Sequence, residues 1–211
     1  ERSLMKVLMS VGRHRELLWQ FLVRNVKAQH KGSYLGAFWL LANPLLMLGL
    51  YTFVFGVVFG GRFGVISDET TLDYAFGVFF GLTVLNLFSS ALGSAPGIIV
   101  NQPNFVKKVV FPLEVLPLAH VGALTYNMLI SLALCLAGVL FLGDGLTWLA
   151  LWIPMVLAPV LLLAIGVAWL LSALGVFLRD VNHLTQFLGM VALYASGVFY
   201  SARTAREVAP E

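Results

Sequence analysis

Five stretches of this chain contain no Asp, Glu, Lys or Arg: 32–61, 74–106, 115–143, 145–178 and 181–202. Each can hold the ~20 predominantly apolar residues needed to cross the hydrocarbon core of a bilayer. On an insertion scale a central Leu, Ile, Phe or Val contributes roughly −0.3 to −0.6 kcal/mol, so a dozen of them outweigh Asn43 and the proline after it in the first run. Composition agrees, because 60% of the 211 residues are hydrophobic, 11% are charged and the mean hydropathy is +0.92. A water-soluble domain of this size could not hide that much apolar surface in one core. The chain therefore reads as an all-α integral membrane protein, with spans near 35–59, 75–95, 115–141, 147–177 and 184–200. The last begins with Asn182, His183, Thr185 and Gln186, which leaves a shorter apolar part and admits a re-entrant segment.

The net charge of +3 does not point to nucleic acid, because the cations lie between apolar runs rather than on one face. They report topology instead. Arg2, Lys6, Arg13, Arg15, Arg24, Lys27 and Lys31 precede the first run, Lys107 and Lys108 follow the second, and Arg179 follows the fourth. These ten share one side and leave Arg62, Arg203 and Arg206 opposite, so the positive-inside rule puts the amino terminus in the cytoplasm. Asp68, Glu69, Asp73 and Asp144 all fall in outer loops. Five spans would leave the carboxyl end outside. With a start at Glu1 and an end at "REVAPE", the expectation is a trimmed protein that lacks a sixth span.

Residues 1–31 form the expected cytoplasmic amino-terminal region. Within it, Leu17, Leu18, Phe21, Leu22 and Val26 fall on one helical face, with Arg24, Lys27 and Lys31 largely on the other. That pattern predicts an amphipathic helix on the inner leaflet, with Trp19 at headgroup depth. It serves as an anchor or as a partner-binding element. No signal peptide is evident, since the first apolar run, 17–23, is short and closed by Arg24. The glycine pair at 60–61 suits a turn at the membrane exit. Cys135 sits in an apolar run and reads as a buried small residue.

Catalytic chemistry is hard to find. No G-x-x-x-x-G-K-[ST] loop occurs, so the chain has no standard cradle for nucleotide phosphates. His14, His30, His120 and His183 are scattered without a second ligand at metal-binding spacing. Ser196 and His183 are weak candidates for a hydrolase, and helix packing explains Ser196 better. Ion-coupled transport is disfavoured because, apart from His120 and His183 near the start of the last run, the runs contain no ionisable residue of the kind such carriers bury. A transporter of this composition would take its energy from another polypeptide.

The stretch 97–114 differs in character. Pro96, Pro103, Pro112 and Pro117 interrupt helix, so a structured cytoplasmic excursion with a short helix is expected between the second and third spans. It exposes Lys107 and Lys108 between Phe105 and Phe111. This mixture suits docking to a soluble partner, or else marks topology with phenylalanines dipping into lipid.

Three segments, in order, resemble a known family. They are "ELLWQFLVRNVKAQHKGSYLGAFWLLANPLLMLGLYTFVFG" (16–56), "NFVKKVVFPLEVLPL" (104–118) and "FLRDVNHLTQFLGMVALYASGVFYS" (177–201). They are similar to the membrane subunit of bacterial type-2 ABC transporters, the ABC-2 superfamily, whose members export polysaccharides or teichoic acids; the O-antigen-type branch is the nearest match. The resemblance implies a homodimer of six-span subunits served by two cytoplasmic ATPases. ATP and Mg²⁺ would be bound by that partner, with no cofactor or metal in this chain. It also implies a cargo of glycan on a polyprenyl diphosphate lipid. The chain departs from the pattern where the family continues into outer re-entrant helices and a sixth span.

On this reading Asn104, Phe105, Lys107, Lys108, Phe111, Pro112 and Glu114 transmit the ATPase stroke, with Arg179 and Asp180 as a second cytoplasmic contact. Tyr34, Phe38, Trp39, Tyr51, Phe55 and Phe59 offer aromatic faces on which sugars can stack, the last three recurring every four residues. They are equally suited to face lipid. Arg24, Lys27 and Lys31 are placed to receive the lipid diphosphate or simply to meet the anionic inner leaflet. Export of teichoic acid, capsule, a drug or a small lipid is the neighbouring alternative; a membrane-embedded enzyme of lipid or glycan metabolism is the alternative of another class.

Overall fold

The computed structural model describes residues 14–29, 35–36, 38–58, 60, 70–103, 112–143, 147–178 and 180–198. Among them the secondary structure is helical throughout, without a strand. Helix α1 is Arg15–Gln29; α2 is Phe38–Tyr51, continued by a π-helix over Thr52–Val58; α3 is Thr71–Ser94 and α4 the short Gly97–Val100. Helix α5 is Val115–Leu142; a 3₁₀ turn at Trp148–Trp152 leads into α6, Ile153–Phe177, and α7 is Val181–Ala195.

Four helices among the described residues are long and apolar enough to cross a membrane: Phe38–Val58, Thr71–Ser94, Val115–Leu142 and Ala150–Phe177. Each overlaps one of the first four charge-free runs. The fifth run forms a shorter element than expected. Helix α7 has 15 residues, about 22 Å at 1.5 Å per residue, against a hydrocarbon core of ~30 Å. A Cβ on Gly81 would lie 3.0 Å from Val198, so the chain just past α7 meets α3 about 15 Å from the start of α3 at Thr71. The physical reason is local, since Ser196 turns to extended backbone (φ −75°, ψ 140°) and its hydroxyl bonds back to the Leu193 carbonyl at 2.8 Å.

Helix α3 lies at the centre and touches each of the other long helices. Its buried Leu87 and Ala91, with Ala95 just past its end, share a core with Leu116, Ala119 and Met128 of α5, and with Ala164 and Ala168 of α6. On α6, Ala164, Ala168, Ser172 and Gly175 recur at spacings of four, four and three, a stripe of small buried residues along one helix face. Lipid tails are as apolar as the side chains, so membrane helices associate by such close packing rather than by hydrophobic exclusion. At its end, Gly175 meets the Pro96 carbonyl so closely that no Cβ would fit.

The amphipathic face of α1 is as expected: Phe21 is buried, Leu17 and Leu18 pack on the same core, and Trp19 is exposed. That core is protein rather than lipid. Helix α1 runs against α5, with Leu22 lying over Gly122 and Gln29 accepting a 2.6 Å hydrogen bond from Asn127. Arg24 donates to Gln102 at 2.9 Å, so the amino-terminal helix and the segment after the second span lie at one end of the bundle. Turn residues at both ends of α2 use left-handed glycines, Gly36 (φ 42°) and Gly60 (φ 56°), a backbone that side-chain-bearing residues rarely adopt.

Candidate functional site

The first site is a cavity of about 260 Å³ among α2, α3 and α5. Its α2 wall includes Trp39, Asn43, Pro44 and Tyr51. Proline 44 sits inside that helix, where it removes one backbone donor and favours a kink. The α3 wall carries Phe79, Thr83, Asn86 and Ser90 at spacings of four, three and four, one face of a helix. Helix α5 contributes Leu124, Asn127 and Ser131 by the same rule. The lining thus combines three aromatic rings, three amides and several hydroxyls, and among the described residues it has no charged side chain.

Asn127 is under-satisfied. Its Nδ2 donates to Gln29, but its Oδ1 is enclosed without a hydrogen-bond partner among the described residues. Turning both amides over would let Gln29 donate to Oδ1 and orphan Nδ2 instead, so one polar end stays unmatched either way. Leaving such a group unpaired in apolar surroundings costs roughly 2–7 kcal/mol.

A second cavity, about 220 Å³, lies at the loop-bearing end among Asn25 of α1, Ser94, Gly97, Asn101 and Gln102 after α3, and His120 of α5. There Ser94 Oγ and His120 Nε2 are 2.7 Å apart. A third, about 380 Å³ and mostly apolar, is bounded by Ile99, Leu113, Glu114, Pro117, Trp169 and Phe177. Across it the Trp169 indole donates to the Glu114 carbonyl at 3.0 Å, which ties α6 to the start of α5.

Of the channel candidates, Trp39 and Tyr51 come together on the first cavity. Tyr51 also packs against two buried clusters, one with Tyr74 and Val78, the other with Phe76 and Phe79. Phe38 is exposed outside the cavity and meets Trp39 edge to face at 6.1 Å. The π-helix changes the rotation per residue after Tyr51, so the four-residue spacing to Phe55 and Phe59 does not by itself define one face. The side chain of Phe55, and Tyr34 and Phe59, lie outside the described residues.

Of the cations, Arg24 lies over the Phe21 ring at 4.3 Å and holds Gln102, while Lys27 is exposed; Lys31 lies outside the described residues. Asn104, Phe105, Lys107, Lys108, Phe111 and Arg179 lie outside them too. Pro112 accepts a hydrogen bond from the Val115 amide at 3.1 Å, and Asp180 is exposed at the start of α7 with its carbonyl accepting from His183 and Leu184. The described part of the 97–114 segment contains the expected short helix, α4.

Sequence reading passed over Thr83, Asn86, Ser90, Asn127 and Ser131 as site residues and weighed Asn43 only as a tolerated polar position. A signal was available, because an amide in each of the first three charge-free runs is costly in a bilayer and asks for a partner.

Comparison with known proteins places these features. Residues 16–207 match the family described as ABC-2 type transporter. The chain is 28% identical over 204 residues to a protein of Myxococcus xanthus named O-antigen export system permease protein RfbA, covering 97% of this chain and 75% of the relative. Two Klebsiella pneumoniae proteins of the same name are each 25% identical, over 201 and 190 residues, covering 94% and 89% of this chain and 74% and 70% of theirs. With its helical membrane architecture and a match across nearly its whole length, this chain belongs to the ABC-2 type transporter family.

Proposed function

We propose that the chain is the transmembrane permease subunit of an ATP-driven exporter that carries a polyprenyl-diphosphate-linked, O-antigen-like polysaccharide across the inner membrane. The cargo class follows the printed function of its relatives. The observation on this chain that carries the reading is the uncharged cavity of aromatics, amides and hydroxyls among three membrane helices. Sugars present hydroxyls and apolar C–H faces together, and that lining answers both. With no nucleotide loop in the sequence and no charged residue on the cavity wall, the drive comes from a separate ABC ATPase acting on a permease homodimer.

The stroke enters at the segment 97–114. What surrounds it supports such a role: Pro96 packs against Gly175 of α6, Glu114 is held by Trp169, and Arg24 of α1 holds Gln102. A push there reaches α1, α3, α5 and α6 at once. Arg24, Lys27 and Lys31, at the same end in the sequence, receive the lipid diphosphate by charge attraction.

In cells making the polymer, deleting this gene removes polysaccharide from the surface and leaves it inside. Replacing both Phe111 and Glu114 with Ala gives the same phenotype with normal permease levels in the membrane. Undiminished surface polymer in the deletion strain refutes the export function; undiminished export by the double variant refutes docking at this segment.

A further inference from the structure

The amides of the first cavity stand on three different helices, each inward of a loop-bearing end. At 1.5 Å per residue, Asn43, Asn86 and Asn127 lie about 8, 12 and 18 Å from the loop-bearing ends of α2, α3 and α5. Ser90 of α3 and Ser131 of α5 add hydroxyls on two of the walls. An occupant must therefore be able to donate and accept hydrogen bonds. A free ion is a poor fit, since no charged side chain lines the cavity, and an acyl chain would strip three amides of water without repaying them. The volume, about 260 Å³, is close to the lower end of the ~300–1,000 Å³ usual for small-ligand clefts, which suits one ring rather than a bulky group. Trp39 and Tyr51 supply aromatic surface beside the polar groups.

We propose that Asn43, Asn86 and Asn127, with Ser90 and Ser131, form a hydroxyl-reading station inside the membrane, where one neutral pyranose ring of the glycan is held by amide and hydroxyl hydrogen bonds while its apolar face meets Trp39. This rests on the polysaccharide reading above and adds the residues that grip the sugar and the class of ring they accept. Aromatic stacking alone lets a polymer slip; neutral amides give a grip that is directional yet weak enough to release at every step, because each bond replaces one to water with little net gain. The station is selective in one respect: a ring bearing a carboxylate finds no cation among the described wall residues to pair with it.

The test uses the full chain with its ATPase partner in cells that make the polymer. The photo-reactive residue p-benzoylphenylalanine is placed separately at positions 39, 86 and 131, and adducts are read with an antibody against the polymer. Irradiation is expected to give polymer-bearing permease at all three positions, and none in a strain blocked in polymer synthesis. Adducts at 39 without any at 86 and 131 overturn the station while leaving the export route intact. Surface polymer that persists after deletion of the gene overturns the export reading itself. In parallel, Asn86→Leu with Asn127→Leu is expected to lower export about tenfold or more, as the loss of one good hydrogen bond would, and Asn86→Gln to restore most of it. Undiminished export by the leucine pair at equal permease levels also overturns the proposal; where that pair fails to insert, the adducts decide.

Discussion

Two glycines illustrate at the residue scale how the neighbouring atom decides the cost of a substitution. A Cβ at Gly122 would lie 2.7 Å from Leu22 Cδ1, the far end of a flexible side chain that can swing aside. At Gly175 the obstacle is the Pro96 backbone, fixed by the turn that ends α3. Gly175→Ala is therefore expected to destabilise by about 1–3 kcal/mol, the usual range for overpacking, and Gly122→Ala by less. Thermal unfolding of the detergent-purified protein, followed as loss of the monodisperse gel-filtration peak, ranks the two. The aromatic candidates divide by the same logic. Trp39 is 37% exposed and lines the cavity, whereas Tyr51 also wedges between two buried clusters. Trp39→Ala should slow export at unchanged thermal stability, and Tyr51→Ala should reduce both; equal losses of stability would assign Trp39 to packing instead.

At the scale of elements, the strongest start signal among the described helices lies at the beginning of the second span. Thr70 accepts from the Asp73 amide at 3.2 Å while the Asp73 carboxylate accepts from the Thr70 amide at 3.0 Å, a reciprocal capping box. Thr70→Ala is expected to cost about 1 kcal/mol and to fray the first turn of the central helix. Faster amide hydrogen exchange confined to residues 71–75 would verify this, and unchanged exchange there would rule the cap unimportant. Helix α2 is the looser element by contrast. It buries little beyond Ala42, contains Pro44, and ends in a π-helical stretch where Thr52 bonds back to the Leu48 carbonyl at 2.8 Å. It is also one wall of the amide-lined cavity, so a small shift of this helix changes the cavity's width without disturbing the core of α3, α5 and α6.

Across the whole molecule, the bond from Arg24 to Gln102 and that from Trp169 to Glu114 gather the amino-terminal helix, the end of the second span and the start of the third at one end, with Thr70 and Thr147 at the other. If the basic end faces the cytoplasm, a cysteine at Thr147 should react with an impermeant maleimide in intact cells, and one at Gln102 only after lysis. The native Cys135 is buried and gives no background. Labelling of Gln102→Cys in intact cells would invert the topology and remove the proposed ATPase contact.

Charge-free runs and the placement of cations made the membrane class, the first four spans and the amphipathic α1 legible from the residues alone. Those features depend on local transfer energies, which add along the chain and need no knowledge of neighbours. The length of α7 was less legible, because Ser196 and Gly197 end the helix inside an apolar run that hydropathy counts as continuous. The tertiary structure alone decided which polar residues meet. Asn43, Asn86 and Asn127 are 43 and 41 positions apart in sequence, and each looks like an isolated expense until three helices bring them around one cavity. Packing in a membrane is set by the fit of small residues such as Ala91, Ala168 and Gly175, and that fit depends on pairs of surfaces that no single segment contains.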